Sequence, residues 1–184
     1  MEYEFHTAED ILALTKKHKI TISELAKRYE AERSNKSVSA IRDRMKQTRD
    51  IMYEAVKTGV KSEERSRMGM VGGDAKKLYD ALKTLRNSMG NKVTMRAMAY
   101  ATAVGEQNAC MRRIVAFPTA GGAGVVPGVL FSCSEHFKAG KRRLLRSMFC
   151  ASAVGLVIAE GATLSAAKGG CQAEVGAAVA MSAA

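Results

Sequence analysis

The sequence has no CxxC pair, no leader pattern at its start, and no alternation of polar and apolar residues long enough to build a sheet. Without a paired-thiol motif or a leader, its four cysteines, Cys110, Cys133, Cys150 and Cys171, are expected in a reduced, cytoplasmic setting. Without alternation, helices are the remaining building material, apart from a short extended piece over Ile114–Phe117. Apolar runs are short as well. The Ala- and Val-rich second half is broken by Glu135, Lys138, Lys141, Arg146, Glu160, Lys168 and Glu174, so no stretch is expected to reach the roughly 20 residues that span a bilayer, and no membrane partner is expected. Neither GxxxxGK[ST] nor GxGxxG after a strand is present, which leaves nucleotide binding without a motif. His6, His18 and His136 stand among charges with no HxxE-type partner, and no metal or base role falls to them.

What is present suits one globular domain over residues 1–184, with 47% hydrophobic and 26% charged residues, a balance that excludes disorder. N-terminal helices occupy 1–60, and a Gly/Ala-rich part follows over 61–184. The net charge of +11 is interleaved with acid, as in Glu24, Lys27, Arg28, Glu30, Glu32 and Arg33. That pattern describes solvated helix faces better than a phosphate-tracking stripe, and no nucleic-acid partner is expected. A rival reading rests on residues 20–33, which resemble the first helix of a helix-turn-helix reader, but no short glycine turn follows.

Helix signals recur. Thr7 with Asp10, and Thr21 with Glu24, have capping-box spacing, followed by apolar faces at Ile11, Leu12 and Leu14 and at Ile22, Leu25, Ala26 and Tyr29. Ser37 to Lys57 reads as a longer amphipathic helix stopped by Gly59, and residues 61–73 as a loop, after which Asp74 caps a helix through Leu85. Helices over 92–109, 128–138, 141–159 and 171–183 follow, with small residues that let backbones pack closely. The class is all-α.

Two features carry chemistry. From Pro118 to Gly128 the chain cannot continue a helix and offers backbone amides ahead of a helix start at Gly128, which suits a carboxylate; a tight helix crossing explains the same loop equally well. Gly169-Gly170-Cys171-Gln172-Ala173-Glu174 sets a thiol at a helix start, where the dipole favours thiolate, although a lone cysteine among alanines is also a common buried side chain. Cys110, Cys133 and Cys150 read as core.

Several segments together resemble the alpha subunit of iron–sulfur-dependent L-serine dehydratases, across essentially the whole chain. They are Ile22-Ser23-Glu24-Leu25, Val71-Gly72-Gly73-Asp74-Ala75-Lys76, Asn108-Ala109-Cys110-Met111, Arg113-Ile114-Val115-Ala116, Pro118-Thr119-Ala120-Gly121 and Gly169-Gly170-Cys171-Gln172-Ala173-Glu174-Val175-Gly176. The resemblance implies deamination of L-serine to pyruvate and ammonia with a 4Fe-4S cluster held by three cysteines, whose open iron acts as Lewis acid on the serine hydroxyl. It implies Cys171 as one cluster ligand, with the other two further toward the C-terminus than this chain extends, and it assigns Thr119, Ala120, Gly121 and Gly122 to the substrate carboxylate. A beta subunit or domain and a homodimer are the partners it implies. Departures stand at Gly122, where the family usually has serine, at Arg112, where it has glycine, and at Gly161–Lys168, where it has Asn-Ala-Ser-Ile-Ser-Gly-Ala-Glu. These departures motivate the alternative of a non-catalytic helical interaction module on the same fold.

Overall fold

A computed structural model describes residues 1–84 and 91–184, and among them it contains eight helices and no strand. In order they are α1 (Ala8–His18), α2 (Ile22–Ser34), α3 (Val38–Gly59), α4 (Asp74–Ala81), α5 (Lys92–Ala109), α6 (Val125–His136), α7 (Lys141–Gly161) and α8 (Ala166–Ala183). The all-α expectation holds. The segment Ile114–Phe117 pairs with no strand, and Leu85, the expected end of α4, lies outside the described residues.

Local chemistry explains the first helices. Thr7 Oγ1 accepts from Asp10 N at 3.1 Å while Asp10 Oδ2 accepts from Thr7 N at 2.9 Å and His6 N at 3.0 Å, a complete capping box. These backbone donors from His6 and Thr7 hold the Asp10 carboxyl below its ordinary range. Thr21 caps α2 through Glu24 N, but Glu24 turns its carboxylate to Lys27 and Arg28, so the reciprocal half of the box is missing. Asn35, with φ 50°, makes the left-handed turn into α3 that no glycine was available to make.

The helices gather into two compact units, Met1–Arg49 with Lys141–Ala184, and Asp50–Gly140. The composition break expected after residue 60 therefore falls inside the second unit. In the first unit, α2 runs along α7 around Phe5, Leu25, Tyr29, Ile41 and Phe149, with the Phe5 and Tyr29 rings 4.8 Å apart. Leu12, expected on the buried face of α1, is 66% exposed, and Ile11 alone of the three apolar positions is buried there. His18, expected at the surface, keeps only 15% of its side chain exposed beside the Tyr3 ring. Contrary to the sequence expectation, α7 is long and apolar enough to cross a membrane by length and composition. Its residues Leu144, Leu145, Met148, Phe149, Ala151, Ala153 and Gly155 are instead buried within the unit.

The second unit packs α5 against α4 and α6 through small residues. Ala99 and Ala103 have no exposed surface. Gly59 is the last residue of α3, and a Cβ there would meet the Ala103 carbonyl oxygen at 2.7 Å, so this glycine is a contact point as well as a stop. α6 starts at Val125, three residues earlier than expected. Pro127 consequently sits in the first turn, where a missing N–H breaks no intrahelical bond.

Candidate functional site

The loop from Pro118 to Gly124 joins a cis Phe117–Pro118 peptide to the start of α6. Its hydrogen bonds are largely its own. Gly122 N donates to Thr119 Oγ1 at 3.2 Å, Ala123 N to the Ala120 carbonyl at 3.3 Å, and Val125 N to the Gly122 carbonyl at 3.1 Å. Asn108, the second-last residue of α5, donates from Nδ2 to the same Ala120 carbonyl at 3.1 Å. The four residues expected to cradle a carboxylate thus form one turn, in which Thr119 is half-buried, Gly122 is buried, and Ala120 and Gly121 lie exposed at the tip. Gly124 completes it: a Cβ there would stand 2.2 Å from the Ala101 carbonyl oxygen, so only glycine lets the loop cross α5 this closely. The crossing reading is therefore realised, and the amide of Gly122 is already committed to Thr119.

Sequence reasoning missed Glu106. This carboxylate is 4% exposed, and its Oε1 accepts from Asp74 N at 2.7 Å and Ala75 N at 3.2 Å, capping α4 from α5. Asp74, expected to cap α4, is its first helical residue and pairs with Lys77 at 2.8 Å; the N-cap position belongs to Gly73. Capping across 32 residues leaves no local spacing to read. Glu106 Oε2 is buried and makes no hydrogen bond among the described residues.

Cys171 sits where α8 breaks. Gly170 adopts φ 77° and ψ 165°, a conformation open to glycine, and Cys171 starts the helical segment that follows. Cys171 is exposed, so the described residues do not enclose its side chain. The other three cysteines, expected in the core, are only partly buried. Cys110 Sγ lies 3.8 Å from the Glu64 carbonyl, and burial pushes the Cys150 thiol up in spite of opposing contributions from Ser23 and Arg146. No group of three or more His, Cys, Asp or Glu side chains arranged to hold a metal occurs among the described residues. An exposed cysteine has the donor chemistry of a metal ligand, but a full ligand set is not assembled by the described residues.

The departures have local accounts. Arg112 forms a two-pronged ion pair with Glu64, with Nη2 2.8 Å from Oε1 and Nε 3.1 Å from Oε2, tying the residue after the α5 turn to the 61–73 loop. Lys168 is exposed in the first turn of α8, where no acidic residue stands.

An all-helical chain with a proline-bounded glycine turn crossing one helix, and a single glycine-set thiol opening another, defines the structural class. The chain belongs to the serine dehydratase alpha chain family, whose model matches residues 17–184. It is 38% identical over 180 residues to the probable L-serine dehydratase alpha chain of Bacillus subtilis, covering 98% of this chain and 59% of that protein. With the L-serine dehydratase alpha chain of Peptoniphilus asaccharolyticus it shares 31% identity over 179 residues, 97% of this chain and 61% of the relative. Against the L-serine dehydratase of Streptomyces coelicolor the identity is 32% over 190 residues, 40% of that longer chain. The chain thus spans about three-fifths of the length of the two alpha chains it matches.

Proposed function

We propose that this chain is the alpha part of an L-serine ammonia-lyase that converts L-serine to pyruvate and ammonia in the cytoplasm, together with a beta subunit or domain and as a homodimer. The observation that carries the reading is the exposed Cys171 thiol at the helical restart after Gly170. Thiolate is the form in which cysteine ligates iron, and an exposed side chain leaves the sulfur accessible to it. Cys171 supplies one ligand to a 4Fe-4S cluster, and the remaining ligands come from sequence that the longer relatives have and this chain does not span. When bound, such a cluster supplies Lewis acidity at the substrate hydroxyl.

The chain's own residues then position the substrate. The exposed tip at Ala120 and Gly121 meets the serine carboxylate, while Thr119, Gly122 and Asn108 hold the tip in shape through the hydrogen bonds described above. Glu106 fixes the start of α4, directly after the glycine pair Gly72-Gly73.

Anaerobic reconstitution with iron and sulfide provides the test. The 184-residue chain alone is expected to bind no stable cluster and to release no pyruvate from serine. A version extended to the length of the relatives gains visible charge-transfer absorbance and activity, and Cys171→Ser in that version loses both while keeping its helical circular dichroism. Retention of cluster and activity by the serine variant would refute the assignment. An extended chain that holds a cluster yet leaves serine unchanged points instead to the non-catalytic module.

A further inference from the structure

The first unit contains a cavity of about 460 Å³ between the α1–α2 turn, α2, the start of α3 and the start of α7. Its charge is one-sided. Lys19, Lys27, Arg42, Arg142 and Arg146 line it, and Glu24 is the one carboxylate among the lining residues. Glu24 is already answered: burial raises its pKa, but hydrogen bonds from Lys27 and Arg28 outweigh this and leave it below its ordinary value. Lys19, Arg142 and Arg146 make no ion pair among the described residues, and Arg42 reaches Asp43 only at 4.0 Å.

Helix electrostatics sharpen the point. α7 starts with Lys141, Arg142 and Arg143 and has no acidic residue in its first turn, so cations crowd the positive end of its dipole. The start of α2 lines the same cavity through Thr21 and Ser23, whose hydroxyls are 3.0 Å apart, and Ser23 is 3% exposed. The α7 start and three cations without an ion pair thus concentrate positive charge around one hollow, where an anion is favoured. Phe149 forms an apolar wall below the Lys27 ammonium, 5.9 Å from its ring centre.

We propose that this cavity binds a small-molecule anion carrying phosphoryl groups, of the pyrophosphate or phosphoester class, with Arg142 and Arg146 as its principal contacts. The guanidinium forks of Arg142 and Arg146, one helical turn apart on α7, match phosphoryl oxygens better than a point charge does. The hollow exceeds what a single phosphate fills. The site lies wholly within the first unit and owes nothing to the serine lyase reading.

Isothermal titration of the full chain at low salt, with inorganic phosphate, inorganic pyrophosphate and citrate as probes, tests it. Pyrophosphate is expected to bind saturably and at least tenfold more tightly than citrate. Arg142→Ala combined with Arg146→Ala, both exposed positions, weakens pyrophosphate at least tenfold. Lys61→Ala combined with Arg67→Ala, which removes the same charge from an exposed loop elsewhere, leaves the affinity within twofold. The proposal falls if pyrophosphate fails to saturate, if citrate binds equally well, or if both double variants lose affinity alike, as general attraction to a basic protein would produce.

Discussion

In the first unit, Phe5, Leu25, Tyr29 and Phe149 fill the interior with large side chains. In the second, Ala99, Ala101, Ala103, Gly124 and Gly128 bring backbones within van der Waals reach of each other. The first arrangement is sensitive to lost volume, because a truncated ring leaves a cavity. The second is sensitive to added volume, because the nearest neighbours are main-chain atoms that cannot rotate away. The loop assigned to the substrate lies in the unit whose backbone is fixed most closely. A site made of peptide groups has no side chain to adjust, so its precision has to come from the crossing itself.

Substitutions that exchange the two kinds of damage test this contrast. Phe149→Ala is expected to cost about 3–5 kcal/mol in urea unfolding, the largest effect, with Phe149→Leu recovering most of it. Gly124→Ala, a single added methyl facing the Ala101 carbonyl, is expected to cost about 1–3 kcal/mol by the same measurement and to shift amide resonances across residues 118–124. A neutral Gly124→Ala would remove the close-approach explanation of the second unit.

Glu106→Ala strands the Asp74 and Ala75 amides and is expected to cost about 1–2 kcal/mol, with faster hydrogen exchange at the start of α4; Glu106→Gln keeps an acceptor and recovers part of the loss. The smallest effect belongs to Asp10 at the surface of the first unit. Its folded pKa is depressed, so its stabilising contribution is complete above the unfolded value near 3.8 and disappears as pH falls through the lower folded value. Asp10→Asn therefore lowers the melting temperature slightly at neutral pH, leaves it nearly unchanged at the lowest pH, and so flattens the acid limb of the profile. Asp74→Asn in the second unit does the same through its lost bond to Lys77, and a difference between the two slopes reports which carboxyl is held further below its ordinary range in the folded chain.

Much of the fold was legible locally. Thr7 and Asp10 form their box because both partners lie within one turn, and the apolar positions Leu25, Ala26 and Tyr29 are buried because helical spacing puts them on one face. The glycine pair before Cys171 announced the break in α8 because a left-handed residue is a property of the chain itself. Leu12 was misplaced since periodicity does not say how wide a neighbour covers a face, and α6 began early because proline in a first turn is tolerated.

Sequence by itself determined that this chain is helical, where most helices lie, and which turn and which thiol resemble those of the serine dehydratase alpha chains, since these rest on interactions spanning a few residues. Only the tertiary structure decided that Glu106 caps α4, that Arg112 answers Glu64, that Cys171 faces solvent, and that five cations from the α1–α2 turn, α2, α3 and α7 line one cavity. Each of these joins groups distant along the chain or depends on what neighbouring helices leave uncovered, and such relations exist only once the helices are packed.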